Sequence, residues 1–234
     1  MNNTHNVAEA VERITKEIRT LERQHRRKPE SVALLAVSKT KPIEAIRAAY
    51  AAGQRHFGEN YLDEAVEKIQ TLSREYPEEI YHWHFIGGIQ SRKTQAIAEA
   101  FDWVHSVDRV KIINRLAAQR PIDLPPLNIC LQVNLDNEAG KSGAAESELS
   151  SLADACELHE QLQLRGLMAI PAPRSGIEEQ RKPFAKLATL FESLRQTHTK
   201  MDTLSIGMSA DLPAAIAEGA TIVRVGTAIF GQRA

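Results

Sequence analysis

Lys39 ends an apolar run, Val32-Ala33-Leu34-Leu35-Ala36-Val37, at a point where only a strand terminus could present an amine. Six aliphatic residues halted by Ser38-Lys39-Thr40-Lys41-Pro42 predict a buried parallel strand. Alternation puts Leu35, Val37 and Lys39 on one face and Leu34, Ala36 and Ser38 on the other, so Lys39 caps the interior face. Two later runs, Thr203-Leu204-Ser205-Ile206-Gly207-Met208-Ser209 and Thr221-Ile222-Val223-Arg224-Val225-Gly226-Thr227, break into glycine, serine and threonine. Such residues leave N–H groups and hydroxyls open to an anion, and a helix start adds its dipole. An amine at one strand end and an anion cradle at two others suit a phosphorylated aldehyde held as an imine, which is how pyridoxal phosphate is held.

Imine formation needs the neutral amine, whereas an ordinary lysine with a pKa of about 10.4 is protonated at neutral pH. Burial and a nearby cation both favour the neutral form. Arg224 suits that cation, because Ile222, Arg224 and Gly226 share one face of a strand otherwise made of aliphatics. A lone arginine there must find an acceptor, and the plainer reading is a core ion pair with a carboxylate such as Glu59.

His82-Trp83-His84 is an HxH, which on a strand aims both rings to one side and resembles a metal-hydrolase pair. A catalytic metal needs a further ligand, and His56, His105 and Asp108 form no recognisable set, so no metal site is expected. His84 is read instead as a polar group beside the cofactor ring, with a packed, hydrogen-bonded histidine as the plainer alternative. Asn60 and Tyr61 stand at the second strand end, where either could cap the following helix. Gly140-Lys141-Ser142 matches the end of an NTPase phosphate loop, but the glycine required five places earlier is Leu135. Lys141 is expected to be a flexible loop residue near the barrel mouth.

Positioning these residues requires a repeating scaffold. Apolar runs at 32–38, 56–59, 83–87, 103–107, 127–134, 164–170, 203–208 and 222–226 predict eight strands. Helical periodicity fills 43–52, 62–74, 93–100, 110–119, 146–159, 177–197 and 212–218. An additional amphipathic helix over 5–27, outside the repeat, carries Val7, Ala10, Val11, Ile14, Ile18 and Leu21. About 25 residues per unit fits an α/β fold of the (β/α)8 TIM-barrel class, with a doubly wound open sheet as the alternative. No composition shift or linker divides the chain, so residues 1–234 are expected to be one domain. Proline-rich 120–126 is expected to be a surface loop.

With 29 basic and 30 acidic residues and a net charge of −1, no field attracts nucleic acid or an anionic membrane. The N-terminus lacks the apolar core of a signal peptide, and no run approaches 18 apolar residues, so a cytoplasmic location is expected. Cys130 and Cys156 lie in apolar patterns without CxxC spacing and are expected to be reduced core residues.

The blocks Ala36-Val37-Ser38-Lys39-Thr40, Phe57-Gly58-Glu59-Asn60, His84-Phe85-Ile86-Gly87, Gly166-Leu167-Met168-Ala169-Ile170-Pro171, Ser205-Ile206-Gly207-Met208-Ser209 and Arg224-Val225-Gly226-Thr227 closely resemble the pyridoxal phosphate homeostasis protein family. They run in order from the first strand to the last. The resemblance implies a barrel like the N-terminal domain of alanine racemase, with Lys39 as the Schiff-base lysine. It also implies a phosphate cradle at Ser209, Gly226 and Thr227, and Arg224 facing the pyridine nitrogen. Asn60, His84, Ser205 and Met208 fall around the same pocket. Where the family shows Gln-x-Asn-Lys after the third strand, this chain has Gln90-Ser91-Arg92-Lys93.

The implied function is cofactor holding that influences vitamin B6 and amino-acid balance without an established reaction. An arginine against the ring nitrogen fits this, because a permanent donor leaves the nitrogen unprotonated and weakens the ring as an electron sink. A pyridoxal phosphate-dependent amino-acid racemase and a metal-dependent barrel hydrolase are the alternatives. Racemisation needs two acid/base groups on opposite faces, and the second comes from an added domain that this chain is not expected to carry. Partners expected are the cofactor itself and pyridoxal phosphate-dependent apoenzymes, with the protein a monomer.

Overall fold

The aliphatic runs become eight parallel strands joined edge to edge in sequence order, and the last strand pairs with the first. In this computed structural model, which describes residues 3–136, 140 and 142–232, the strands are β1 (Ala33–Val37), β2 (His56–Glu59), β3 (His82–Phe85), β4 (Trp103–Val107), β5 (Leu127–Gln132), β6 (Leu162–Met168), β7 (Thr203–Ser205) and β8 (Ile222–Val225). Closure rests on the β1–β8 ladder, where Ala33, Leu34, Leu35 and Ala36 face Ile222, Val223, Arg224 and Val225. The doubly wound alternative is therefore excluded, and the chain forms a (β/α)8 barrel.

The helices are α1 (Asn3–Gln24), α2 (Ile43–Ala51), α3 (Leu62–Glu75), α4 (Thr94–Ala100), α5 (Val110–Gln119), α6 (Leu149–Glu157), α7 (Ile177–Arg195), α8 (Leu212–Ala217) and α9 (Thr227–Phe230). Alternation sorts β1 as expected: Leu34 and Ala36 join the core between sheet and helices, while Leu35 joins Trp103, Cys130, Met168 and Ile222 inside the barrel. Both cysteines are buried and free, and burial pushes each thiol up to about 12.

The helix outside the repeat packs along α2, α8 and α9 through Val7, Val11, Ile14, Ile18 and Leu21. Buried Glu22 ties it to the barrel by accepting from the backbone N–H of Val32 (2.8 Å) and Glu30 (3.1 Å). Several elements differ from the periodicity. The sixth strand spans Leu162–Met168, so Ala169 and Ile170 belong to the mouth; the expected 146–159 helix opens with a short 3-10 turn, Glu146–Glu148; and α9 is too short to show a period. Lys141 lies outside the described residues. No helix among the described residues is long and apolar enough to cross a membrane.

Candidate functional site

At the C-terminal ends of the strands the barrel opens into a cavity of about 380 Å³. Its wall includes Val37 and Lys39 after β1, Asn60 after β2, Ile86 after β3, Met168 and Ile170 at β6, Met208, Ser209 and Ala210 after β7, and Arg224, Gly226 and Thr227 from β8 into α9. Most expected site residues thus meet there. His84 and Ser205 do not line the cavity; they lie fully buried in the barrel interior below it.

Lys39 is half-buried in a turn that is held from behind. Thr40 adopts φ +60°, a left-handed conformation uncommon for a β-branched residue, and its N–H donates to Glu64 Oε1 at 2.7 Å. On the outer face of the sheet, Ser38 Oγ donates to Glu59 Oε1 at 2.7 Å. Lys68, buried on α3, donates to the Ser38 carbonyl and to Glu59 Oε1, each at 2.9 Å, and to Glu64. Burial pushes the Glu59 carboxyl up, and Lys68 and the Ser38 hydroxyl oppose that rise. This clamp was not anticipated from the sequence. Its signal is Glu64 and Lys68 at i, i+4 on the helix after a strand that ends in Glu59.

Arg224 does not pair with Glu59, which points out of the barrel. Its Nη1 donates to the Ser205 carbonyl and, at 2.9 Å, to Ser205 Oγ; its Nη2 donates to the Ala169 carbonyl at 2.9 Å. These acceptors are neutral, and the one carboxylate that acts on the guanidinium, Asp211, does so without a direct hydrogen bond to it among the described residues. Burial lowers its pKa to about 10, with Asp211 opposing, which leaves it charged at neutral pH.

The histidines are joined to one another by hydrogen bonds: His56 Nδ1 is 2.9 Å from His84 Nε2, and His84 Nδ1 is 2.8 Å from His105 Nε2. His105 Nδ1 lies 2.8 Å from Ser205 Oγ. Both ring nitrogens of His84 and His105 are thus engaged in hydrogen bonds. Among the described residues no group of three or more His, Cys, Asp or Glu is placed to hold a metal ion.

At the expected cradle, α9 begins at the mouth with Gly226 as its N-cap; Ile229 N–H donates back to the Gly226 carbonyl at 2.9 Å, while the N–H groups of Thr227 and Ala228 precede the first intrahelical bond. A Cβ on Gly226 would lie 3.3 Å from the Val37 backbone oxygen and 3.3 Å from its Cβ, a tight approach between the two strand ends. Ser209 and Thr227 are exposed on the cavity wall. Tyr61 caps α3 through its backbone only, leaving Asn60 to face the cavity, and Arg92 is exposed and bonds to Gln90 at 3.1 Å, away from the cavity wall.

Residues 10–234 match the family model described as "Alanine racemase, N-terminal domain". The chain is 54% identical over 227 residues to the pyridoxal phosphate homeostasis protein of Pseudomonas aeruginosa, covering 97% of this chain and 96% of that one. It is 53% identical over 227 residues to the protein of the same name from Vibrio alginolyticus, covering 97% of each. Among solved structures, PipY of Synechococcus elongatus PCC7942 with pyridoxal phosphate bound superimposes with a TM-score of 0.83 at 37% identity, covering 96% of this chain and 100% of that one. With a family model matched over residues 10–234 and relatives about half identical along nearly their whole length, the chain belongs to the pyridoxal phosphate homeostasis protein family.

Proposed function

We propose that this protein binds pyridoxal 5'-phosphate at the barrel mouth, covalently through Lys39, and serves as a carrier in cofactor homeostasis without turning over a substrate. The observation that carries this reading is the meeting of Lys39, Arg224, Ser209, Gly226 and Thr227 around one cavity. A volume of about 380 Å³ falls within the usual range for small-molecule pockets. The buried side-chain oxygen of Asn60, on the same wall, has no hydrogen-bond partner and is available to a ligand. Relatives about half identical carry the homeostasis name, and PipY holds the same cofactor.

Each residue then has a separable task. The cofactor supplies an aldehyde, a ring nitrogen and a phosphate. Lys39 Nζ provides the amine that condenses with the aldehyde, and the clamped turn behind it fixes the direction of approach. Ser209, Thr227 and the N–H groups opening α9 hold the phosphate. Arg224, anchored on Ser205 and Ala169, offers donors to the ring nitrogen and carries no proton it can give up at neutral pH, which suits holding better than carbanion chemistry. The half-exposed mouth leaves Lys39 open to displacement by an incoming amine, as a carrier requires. We assign residues 1–234 to one cytoplasmic, monomeric domain whose partners are the cofactor and pyridoxal phosphate-dependent apoenzymes.

The deciding experiment is borohydride reduction of cofactor-loaded protein followed by peptide mass mapping. The adduct is expected on Lys39 and absent in Lys39→Ala; an adduct confined to Lys41 or Lys141 would sink the assignment. Incubation with single L-amino acids in deuterated buffer should give no α-proton exchange above free cofactor. Exchange that Lys39→Ala abolishes would establish a racemase-type enzyme instead.

A further inference from the structure

Below the cavity, a line of hydrogen bonds crosses the barrel interior from Arg224 through Ser205, His105 and His84 to His56. It passes through β8, β7, β4, β3 and β2. Ser205, His84 and His105 are fully buried, and His56, the first residue of β2, is half-buried at the opposite end of the barrel, stacked on His82 at 4.7 Å.

The protons along this line can be assigned from chemistry. A guanidinium has donors only, so Ser205 Oγ accepts from Arg224. The hydroxyl has one proton of its own, and His105 Nδ1 is its sole other neighbour among the described residues. That proton therefore goes to His105, whose Nδ1 accepts. A neutral imidazole that accepts at one nitrogen donates at the other. His105 Nε2–H then donates to His84 Nδ1, and His84 Nε2–H donates to His56 Nδ1. Burial keeps all three rings neutral: it lowers His56 to about 4, His105 to about 3 and His84 well below its ordinary value.

We propose that Ser205, His105, His84 and His56 are positioning residues for Arg224: a one-way hydrogen-bond chain, directed by the guanidinium, that locks all three imidazoles in the Nε2–H tautomer. A ring that donates onward becomes a better acceptor behind it, so the chain turns the Ser205 hydroxyl proton towards His105 and its lone pairs towards Arg224. With Nη1 on Ser205 and Nη2 on the Ala169 carbonyl, the plane of the guanidinium is fixed, and with it the edge offered to the cavity. The consequence for the cofactor rests on the function proposed above, whereas the tautomers do not.

The test has two arms. In cofactor-free protein labelled with 15N-histidine, two-bond 1H–15N correlation spectra near neutral pH should show the Nε2–H pattern for His56, His84 and His105. Ser205→Ala should leave His105 and His84 in mixed tautomers, while His56→Phe, at the far end, should leave His105 unchanged. A charged or Nδ1–H ring in the wild type, or spectra unmoved by Ser205→Ala, would overturn the proposal. In the second arm, pyridoxal 5'-phosphate is titrated by absorbance into His105→Leu and His105→Gln. Loss of a link worth about 1 kcal/mol should weaken binding about fivefold in the leucine variant and shift its absorbance band. Glutamine, which can accept and donate in the same direction, should restore both; equal behaviour of the two variants would overturn the positioning role. Wild-type protein that takes up no cofactor would overturn the function proposed above, and the tautomer spectra would still decide the chain by themselves.

Discussion

The two basic side chains at the cavity, Lys39 and Arg224, are supported in opposite ways. The turn carrying Lys39 is held from outside the barrel wall by charges, with Lys68 between Glu59 and Glu64. Arg224 is held from inside by neutral groups, Ser205 and the histidines behind it. An ionic clamp is stiff and satisfies several backbone groups at once, but each partner is costly to leave alone in a buried place. A neutral chain is cheaper per link, and its weakness is protonation. The barrel thus keeps neutral groups on the interior line beneath Arg224 and concentrates paired charge behind the sheet at Lys39.

Removing one partner of the clamp should have the largest effect. Lys68→Met leaves Glu59, fully buried, without its counter-charge, and its second oxygen already lacks a partner. A loss of about 3–5 kcal/mol at neutral pH is expected in urea unfolding, because breaking a buried pair strands a charge. The loss should shrink on mild acidification as Glu59 takes up a proton, and the double variant Glu59→Gln/Lys68→Met should recover much of it. A change below about 1 kcal/mol would show that the clamp is not a stabilising unit and that the contrast between the two supports is false.

The cradle belongs to neither support, and its effect should fall on binding with little on folding. Charge-assisted hydrogen bonds are worth about 1.5–3 kcal/mol each, so Ser209→Ala/Thr227→Val should weaken pyridoxal 5'-phosphate binding about a hundredfold or more. Both residues are exposed, so the melting temperature should scarcely move. Comparative titration with unphosphorylated pyridoxal is the check: a double variant that keeps its full preference for the phosphorylated form would place the cradle elsewhere.

What the sequence disclosed follows strand alternation. Lys39, Arg224 and their interior faces were legible because period two is local and each strand carries its own pattern. That Ser209, Gly226 and Thr227 would meet at the mouth was legible because glycine, serine and threonine cluster where a strand stops. The clamp and the histidine line were not, because each depends on how neighbours align. His84 stands opposite Gly58 on one side and Trp103 on the other, and that register lets its ring reach both His56 and His105. For the same reason His84 and Ser205 were expected at the cavity wall, although their positions on the strands put them a layer deeper. Thr40's left-handed backbone and the four-residue α9 have no periodic signal at all.

Acid should weaken the inner support, with the smallest effect per group of the three. An ordinary histidine takes up its proton near pH 6.5, whereas His56 holds out to about 4 and His105 to about 3. Between those limits the unfolded chain binds protons that the folded chain refuses, so stability is full above about pH 6.5 and falls as the pH drops towards the folded values. Each histidine contributes a slope of up to about 1.4 kcal/mol per pH unit. Burial raises the carboxyls of Glu59 and Asp211, so the histidine is isolated by the difference between wild type and His105→Gln, which share both carboxyls, in urea midpoints between about pH 6.5 and pH 5. Replacing His105 by glutamine should remove about one proton's worth of that slope while keeping the chain's direction. A wild-type protein whose stability is flat across this interval would mean that the folded interior accepts protons there, and the neutral chain under Arg224 would not exist.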